Sequence, residues 1–170
     1  HGQLVSVDGP GHILDPASGW GDRLLSSLLL NLADKSKPYR TISYTGFDTN
    51  EDLQPVYAKI IERVIHPSND PGNFVVHNKP FEESDDIIGT EEKYNTIITS
   101  PPFYTVEIYK GGQTSTTRYT SKDEWVEKYY KPMWLKCTSV LKSGGRIIAY
   151  IAPWMFEDTH DAIMSDTDMV

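Results

Sequence analysis

Three short clusters combine residue types suited to ligand chemistry. The first is Asp15-Pro16-Ala17-Ser18-Gly19-Trp20-Gly21-Asp22. An acid ends an apolar run, two glycines follow, and a helix-forming stretch begins. Gly19 and Gly21 permit a tight turn and a close backbone approach to a ligand. The helix start behind them offers free N–H groups and partial positive charge. That suits a nucleotide-like cofactor bearing a carboxylate or phosphate, although an ordinary strand–helix turn carries the same residues. The pyrophosphate pattern G-x-G-x-x-G fails because Leu24 holds the third glycine position. The phosphate-cradling G-x-x-x-x-G-K-[ST] is absent as well.

The second cluster is Gly46-Phe47-Asp48, 33 residues after Asp15 and therefore one strand–helix–strand step away. An acid at this place accepts hydrogen bonds from a ribose diol, or caps the helix beginning near Asn50. The third is Thr99-Ser100-Pro101-Pro102-Phe103-Tyr104. Its two prolines fix the backbone and remove two donors, which frees nearby carbonyls to accept. Ser100 adds a side-chain acceptor and Phe103 a flat apolar face. Together they could hold an exocyclic amino group while its ring stacks on Phe103. The alternative is a rigid proline turn ending a strand.

Short apolar runs alternate with longer amphipathic stretches, and these must position the clusters. Strands are expected at 12–15, 41–47, 74–77, 94–99 and 146–151. Helices are expected over 23–33, with Asp22 as N-cap, and from Asn50 to about Ile65. A third runs from the capping box Ser121-Lys122-Asp123-Glu124 to about Leu141. Residues 80–92 and 110–121 read as loops. Strand–helix alternation implies a parallel sheet wrapped by helices, with ligands at the carboxyl ends of the strands. All three clusters follow strands.

A length of 170 residues favours one domain. With 38% hydrophobic and 24% charged residues, the composition excludes collagen, a disulfide scaffold and wholesale disorder. No apolar run approaches the ~18–20 residues that span a bilayer, and residues 1–12 lack the features of a signal peptide. The single cysteine, Cys137, precludes an internal disulfide and points to a reducing compartment, cytoplasm or nucleus. His1, His12, His66, His77 and His160 show no ligand spacing, so no metal is expected. The net charge is −8 and there is no basic run. Any grip on nucleic acid must be local, or belong to a further segment or a partner. The acid-rich end, including Glu157, Asp158, Asp161, Asp166 and Asp168, reads as a solvated tail.

Asp-Pro-x-x-Gly-x-Gly after strand one, an acid after strand two and Ser-Pro-Pro-Phe after strand four resemble the amino-methyltransferases. These are class I, S-adenosylmethionine-dependent enzymes that methylate exocyclic nitrogens of DNA bases. Ser-Pro-Pro-Phe in them more often accompanies N4-cytosine than N6-adenine methylation. The resemblance covers residues 12–153, between an N-terminal segment (1–11) and an acidic C-terminal segment (154–170). It implies an α/β fold: a Rossmann-like sheet with helices on both faces. Asp15, Gly19 and Gly21 would line the methionine end of S-adenosylmethionine, with Pro16, Ala17 and Ser18 in the same loop. Asp48 would bind the ribose, and Phe81 and Glu82 would flank the adenine. Ser100, Pro101, Pro102 and Phe103 would hold the target base.

Some positions depart from the family. Trp20 is bulky for its loop, and Asn95 stands where many members carry an acid. Five strands are expected against the family's seven, with no helix before strand one and no target-recognition domain. The sheet is thus expected to be incomplete at both ends, completed by a further segment or a partner. Other functions stay open: an inactive methyltransferase-like subunit, methylation of RNA or of a glutamine amide, and an NAD-dependent dehydrogenase.

Overall fold

Alternating apolar residues drive five short segments into a sheet. The computed structural model describes residues 11–33, 42–65, 73–104 and 114–167. The strands are β1 (Gly11–Asp15), β2 (Ile42–Phe47), β3 (Phe74–His77), β4 (Tyr94–Thr99) and β5 (Leu141–Ala149). All pairs are parallel, in the order β3-β2-β1-β4-β5. The chain builds outward from β1 to β3, then returns to the other side of β1 with β4. The order therefore reverses between β1 and β4, where open α/β sheets place their ligands. This is a Rossmann-like α/β fold.

Helices cover both faces. On one, α1 (Asp22–Ala33) and α2 (Gln54–Val64) press Leu24, Leu28 and Tyr57 onto Tyr44, Phe74 and Val76. On the other, Met133, Trp134 and Cys137 of α6 (Lys131–Val140) meet Leu14, Phe47 and Ile97. Each face is a separate apolar cluster because successive strand residues point to opposite sides. Burial pushes the Cys137 thiol upward and leaves it in the core. No described helix is long and apolar enough to cross a membrane.

Several expectations are corrected. Ser121 caps the helix, its Oγ accepting from Glu124 N at 3.1 Å, while the Glu124 carboxylate accepts from Thr120 N at 2.9 Å rather than from Ser121 N; the long helix behind the cap is not uniform. It runs as α5 (Lys122–Trp125), a π-helical turn at Val126–Tyr130, and α6. Pro132 cannot donate to the Lys128 carbonyl, and a wider turn accommodates the missing bond. That carbonyl instead accepts from the Tyr119 hydroxyl at 3.4 Å. The fifth strand begins at Leu141 rather than 146; its pairing is irregular up to Arg146, and Gly144 within that stretch has φ +75°. The described part of the glycine- and threonine-rich loop contains one helical turn, α4 (Ser115–Arg118), capped by the Thr114 side chain. Between β3 and β4 lie a 3-10 turn (Phe81–Glu83) and α3 (Asp85–Ile88).

The acidic end is not a solvated tail through Thr167. Residues Phe156–Thr167 form α7, which rests on α6. Met155, Thr159 and Ala162 recur at helical spacing and are buried, and Thr159 Oγ1 hydrogen-bonds the Tyr130 hydroxyl. Glu157 and Asp161 are exposed on the outer side of this helix, and Thr159 and Ala162 lie on its buried side. Residues 1–10 and 168–170 of the two end segments lie outside the described residues.

Gly46, the fifth residue of β2, lies where the loop after β1 crosses the sheet. A Cβ there would overlap Ser18 Oγ and sit 2.7 Å from Tyr44 Cε1. Overpacking of this kind costs about 1–3 kcal/mol. Gly46→Ala is expected to lower unfolding stability by that amount in a urea melt, with an unchanged m-value.

Candidate functional site

The loop after β1 is fastened by a buried polar network. The Asp15 carboxylate is fully buried. It receives Arg23 Nε at 2.7 Å, the Tyr44 hydroxyl at 2.6 Å and the Ala17 N–H at 3.2 Å. Burial pushes the Asp15 carboxyl above its usual range, and Arg23, Tyr44 and Ala17 oppose that rise. Arg23, the second residue of α1, also donates to the Ala17 carbonyl. Ser18 is tied twice to β2: its N–H donates to Phe47 O at 2.8 Å and its hydroxyl meets the Tyr44 hydroxyl at 3.1 Å. Burial together with Asp15 holds the Tyr44 phenol protonated, well above its ordinary range.

Gly19, with φ +57°, is gripped through the peptide groups on both sides of it. Its N–H donates to Asp48 Oδ2 at 2.8 Å, and its carbonyl accepts from the Tyr57 hydroxyl at 2.5 Å. The other Asp48 oxygen accepts from Asn50 N at 2.8 Å; Asn50 caps a 3-10 turn, Glu51–Leu53, and α2 starts at Gln54 rather than at Asn50. Burial raises the Asp48 carboxyl, with the Asn50 and Gly19 N–H groups opposing. The Tyr57 phenol is likewise raised by burial and by Asp48, so it stays a donor. Gly21, with φ +86°, leaves little room: a Cβ would meet Ile60 and Tyr57 at 3.1–3.3 Å.

These contacts shape one wall of a cavity of ≈ 380 Å³ at the carboxyl ends of the strands. Pro16, Ala17, Gly19 and Trp20 line it from the β1 loop, and Phe47, Asp48, Thr49 and Asn50 from the β2 end. Lys79, Pro80, Phe81 and Glu82 line it after β3, and Ser100 and Pro102 after β4. Thr114, Arg118 and Tyr129 complete the rim. The Glu82 side chain, 5% exposed, pairs with Arg118 at 2.9 Å; Arg118 also binds Glu83. Burial raises the Glu82 carboxyl, and Arg118 opposes that rise.

Eight residues singled out in the sequence thus meet in one cavity: Pro16, Ala17, Gly19, Asp48, Phe81, Glu82, Ser100 and Pro102. Asp15, Ser18, Gly21, Pro101 and Phe103 are not among its lining residues. Asp15 and Ser18 lie behind the wall, their polar atoms engaged by Arg23 and Tyr44, and they set the loop's shape. Phe103 is half-buried with its ring 5.9 Å from Tyr150, because Tyr150 N donates to Thr99 O at 3.0 Å and brings the end of β5 alongside. The sequence reading did not single out Arg23, Tyr44, Tyr57 or Arg118. Tyr57 lay in plain view on the apolar face of its helix, but periodicity does not distinguish a packed ring from a hydroxyl donor.

S-adenosylmethionine fits this donor set. A Cβ on Gly19 would meet nothing within 4 Å, so the space over the turn is open. Asp48 places a carboxylate acceptor at the cavity wall, where a diol could donate to it, and Phe81 presents an aromatic wall. The volume is that of a small-molecule site.

No family model matches the chain, and no curated protein matches its sequence. Solved structures do share the fold. One, described as a predicted O-methyltransferase from Agrobacterium tumefaciens, is 13% identical with a TM-score of 0.53; the match covers 94% of this chain and 62% of that one. An rRNA methylase from Streptococcus thermophilus is 14% identical with a TM-score of 0.52, covering 85% and 63%. A possible exported protein from Bordetella parapertussis is 14% identical with a TM-score of 0.50, covering 83% and 36%. The chain spans less than two thirds of the length of each.

Arg23→Met keeps the side-chain length and removes the charge facing buried Asp15. Breaking such a pair is expected to cost about 3 kcal/mol, read as a lower thermal midpoint at pH 7. The deficit should shrink in Arg23→Met/Asp15→Asn, where no unpaired charge is left.

Proposed function

We propose that this chain carries the cofactor site of an S-adenosylmethionine-dependent methyltransferase, acting on an exocyclic amino nitrogen of a nucleic-acid base. One observation carries the reading: four loops, each following a different strand, converge on one cavity at the sheet's switch point. Their residues resemble the amino-methyltransferase motifs, taken in order. The likeness to methyltransferase structures supports the general reaction; the amino-group target rests on Ser100-Pro101-Pro102-Phe103 alone. DNA is the favoured substrate, cytosine N4 or adenine N6, with RNA as the alternative. The chain's net charge of −8 leaves the grip on a polyanion to a further segment or a partner protein.

Asp48 would hold the ribose diol, Phe81 and Glu82 the adenine side, and Ala17 and Gly19 the methionine end. When bound, the cofactor supplies a methyl group already activated on a sulfonium. The chain's task is then placement, and no general base is required to start it. Ser100 Oγ and a proline carbonyl would accept from the substrate's amino hydrogens and aim its lone pair toward the cofactor.

Calorimetric titration of the full chain with S-adenosylmethionine is expected to give micromolar binding. Asp48→Ala should weaken it at least about tenfold, the worth of one lost charge-assisted contact. Ser100→Ala should leave cofactor affinity intact and lower tritiated methyl transfer to DNA. A well-folded chain that does not bind S-adenosylmethionine would contradict the reading and favour a non-catalytic subunit.

A further inference from the structure

The segment after β3 supplies Pro80, Phe81 and Glu82 to the cavity, yet its only regular structure is a 3-10 turn and the four-residue α3. Such short pieces do not hold a wall by themselves. Arg118 of α4 holds Glu82 and Glu83 by their side chains, and α6 holds the backbone. Lys136 Nζ lies 2.8 Å from Glu82 O, 3.2 Å from Phe81 O and 2.7 Å from Asp85 Oδ1. An ammonium has three donors, and here three oxygens of one segment take them. The Lys136 side chain is only 11% exposed, and its ammonium also lies 5.7 Å from the Phe81 ring centre. Its helix is a firm base, because Met133, Trp134, Cys137 and Val140 are fully buried around it.

We infer that Lys136 is a positioning residue for the cofactor site, fixing the wall on which the adenine would lie; this rests on the functional reading above. Lys136 is absent from the cavity lining, so it acts through Phe81 and Glu82. Phe81 is held further by its edge contact with Phe47, with ring centres 5.2 Å apart, and Ser84 Oγ donates to its carbonyl at 2.6 Å. Those bonds are local or apolar. Lys136 ties the wall to the helix layer across 54 residues of sequence.

The test compares wild type, Lys136→Met and Lys136→Arg as full chains. S-adenosylhomocysteine affinity is measured well below each thermal midpoint, with amide hydrogen exchange followed by mass spectrometry. Lys136→Met should weaken affinity about tenfold, as expected for losing hydrogen bonds to a charged group. Exchange should accelerate over 80–88 while β1 and β2 stay protected, and Lys136→Arg should recover most of both. Wild-type affinity in Lys136→Met would overturn the inference, as would exchange raised uniformly across the chain. If wild type itself does not bind, the functional reading fails; local exchange then still decides whether Lys136 holds this wall.

Discussion

The site depends on one glycine, Gly19, held through the peptide groups on both sides of it. The N–H of Gly19 is bound by Asp48 and its carbonyl by Tyr57. Asp48 ends the β2 side and Tyr57 belongs to α2, so a turn leaving β1 takes its shape from the next strand and helix. A free glycine turn would sample many conformations. Fixed here, it leaves open space above Gly19, and that space becomes cavity. Asp48 serves twice: one oxygen locks the turn, and the other holds Asn50, the cap of the 3-10 turn Glu51–Leu53 that precedes α2.

Behind this clamp, the buried Asp15 has a different function from Asp48. It faces Arg23, Tyr44 and Ala17 in a region without water-exposed carboxylate oxygen, where a satisfied network rigidifies and a broken one is costly. Gly46 belongs to the same constraint, since its missing Cβ is what lets Ser18 and Tyr44 meet above β2. The opposite wall is built by cations. Arg118 from the front and Lys136 from behind bind the Phe81–Asp85 stretch, whose own backbone has too few bonds to fix it. Strand ends, rather than helix interiors, thus carry the site, and the helices contribute single long side chains to steady it.

Much of this was legible in the sequence. The strands and the helices after β1 and β2 show themselves by local periodicity, and ligand-type residues follow strands because parallel sheets place sites there. Asp48 and Ser100 were visible by residue type and position. The polar partners were not. Tyr44 meets Asp15 across 29 residues and Lys136 meets Glu82 across 54, and no local pattern encodes such pairs. The same limit explains Asp15: its type suggested a ligand contact, and only the fold shows that Arg23 and Tyr44 already use it. At α7 and the turn before it, the frequency of acids obscured the spacing of Met155, Thr159 and Ala162. The π-helical turn before Pro132 was hidden because the apolar face continues through it.

The most direct test of the central claim is residue-resolved. Amide shifts of the isotope-labelled full chain are followed by nuclear magnetic resonance as S-adenosylhomocysteine is added. The clamped-turn account predicts the largest changes at Gly19, Asp48, Asn50, Phe81 and Glu82, with little change at the amino ends of the strands around His12 and Ser43. Changes confined to those amino ends, or a saturating titration that leaves Gly19 and Asp48 unmoved, would contradict it.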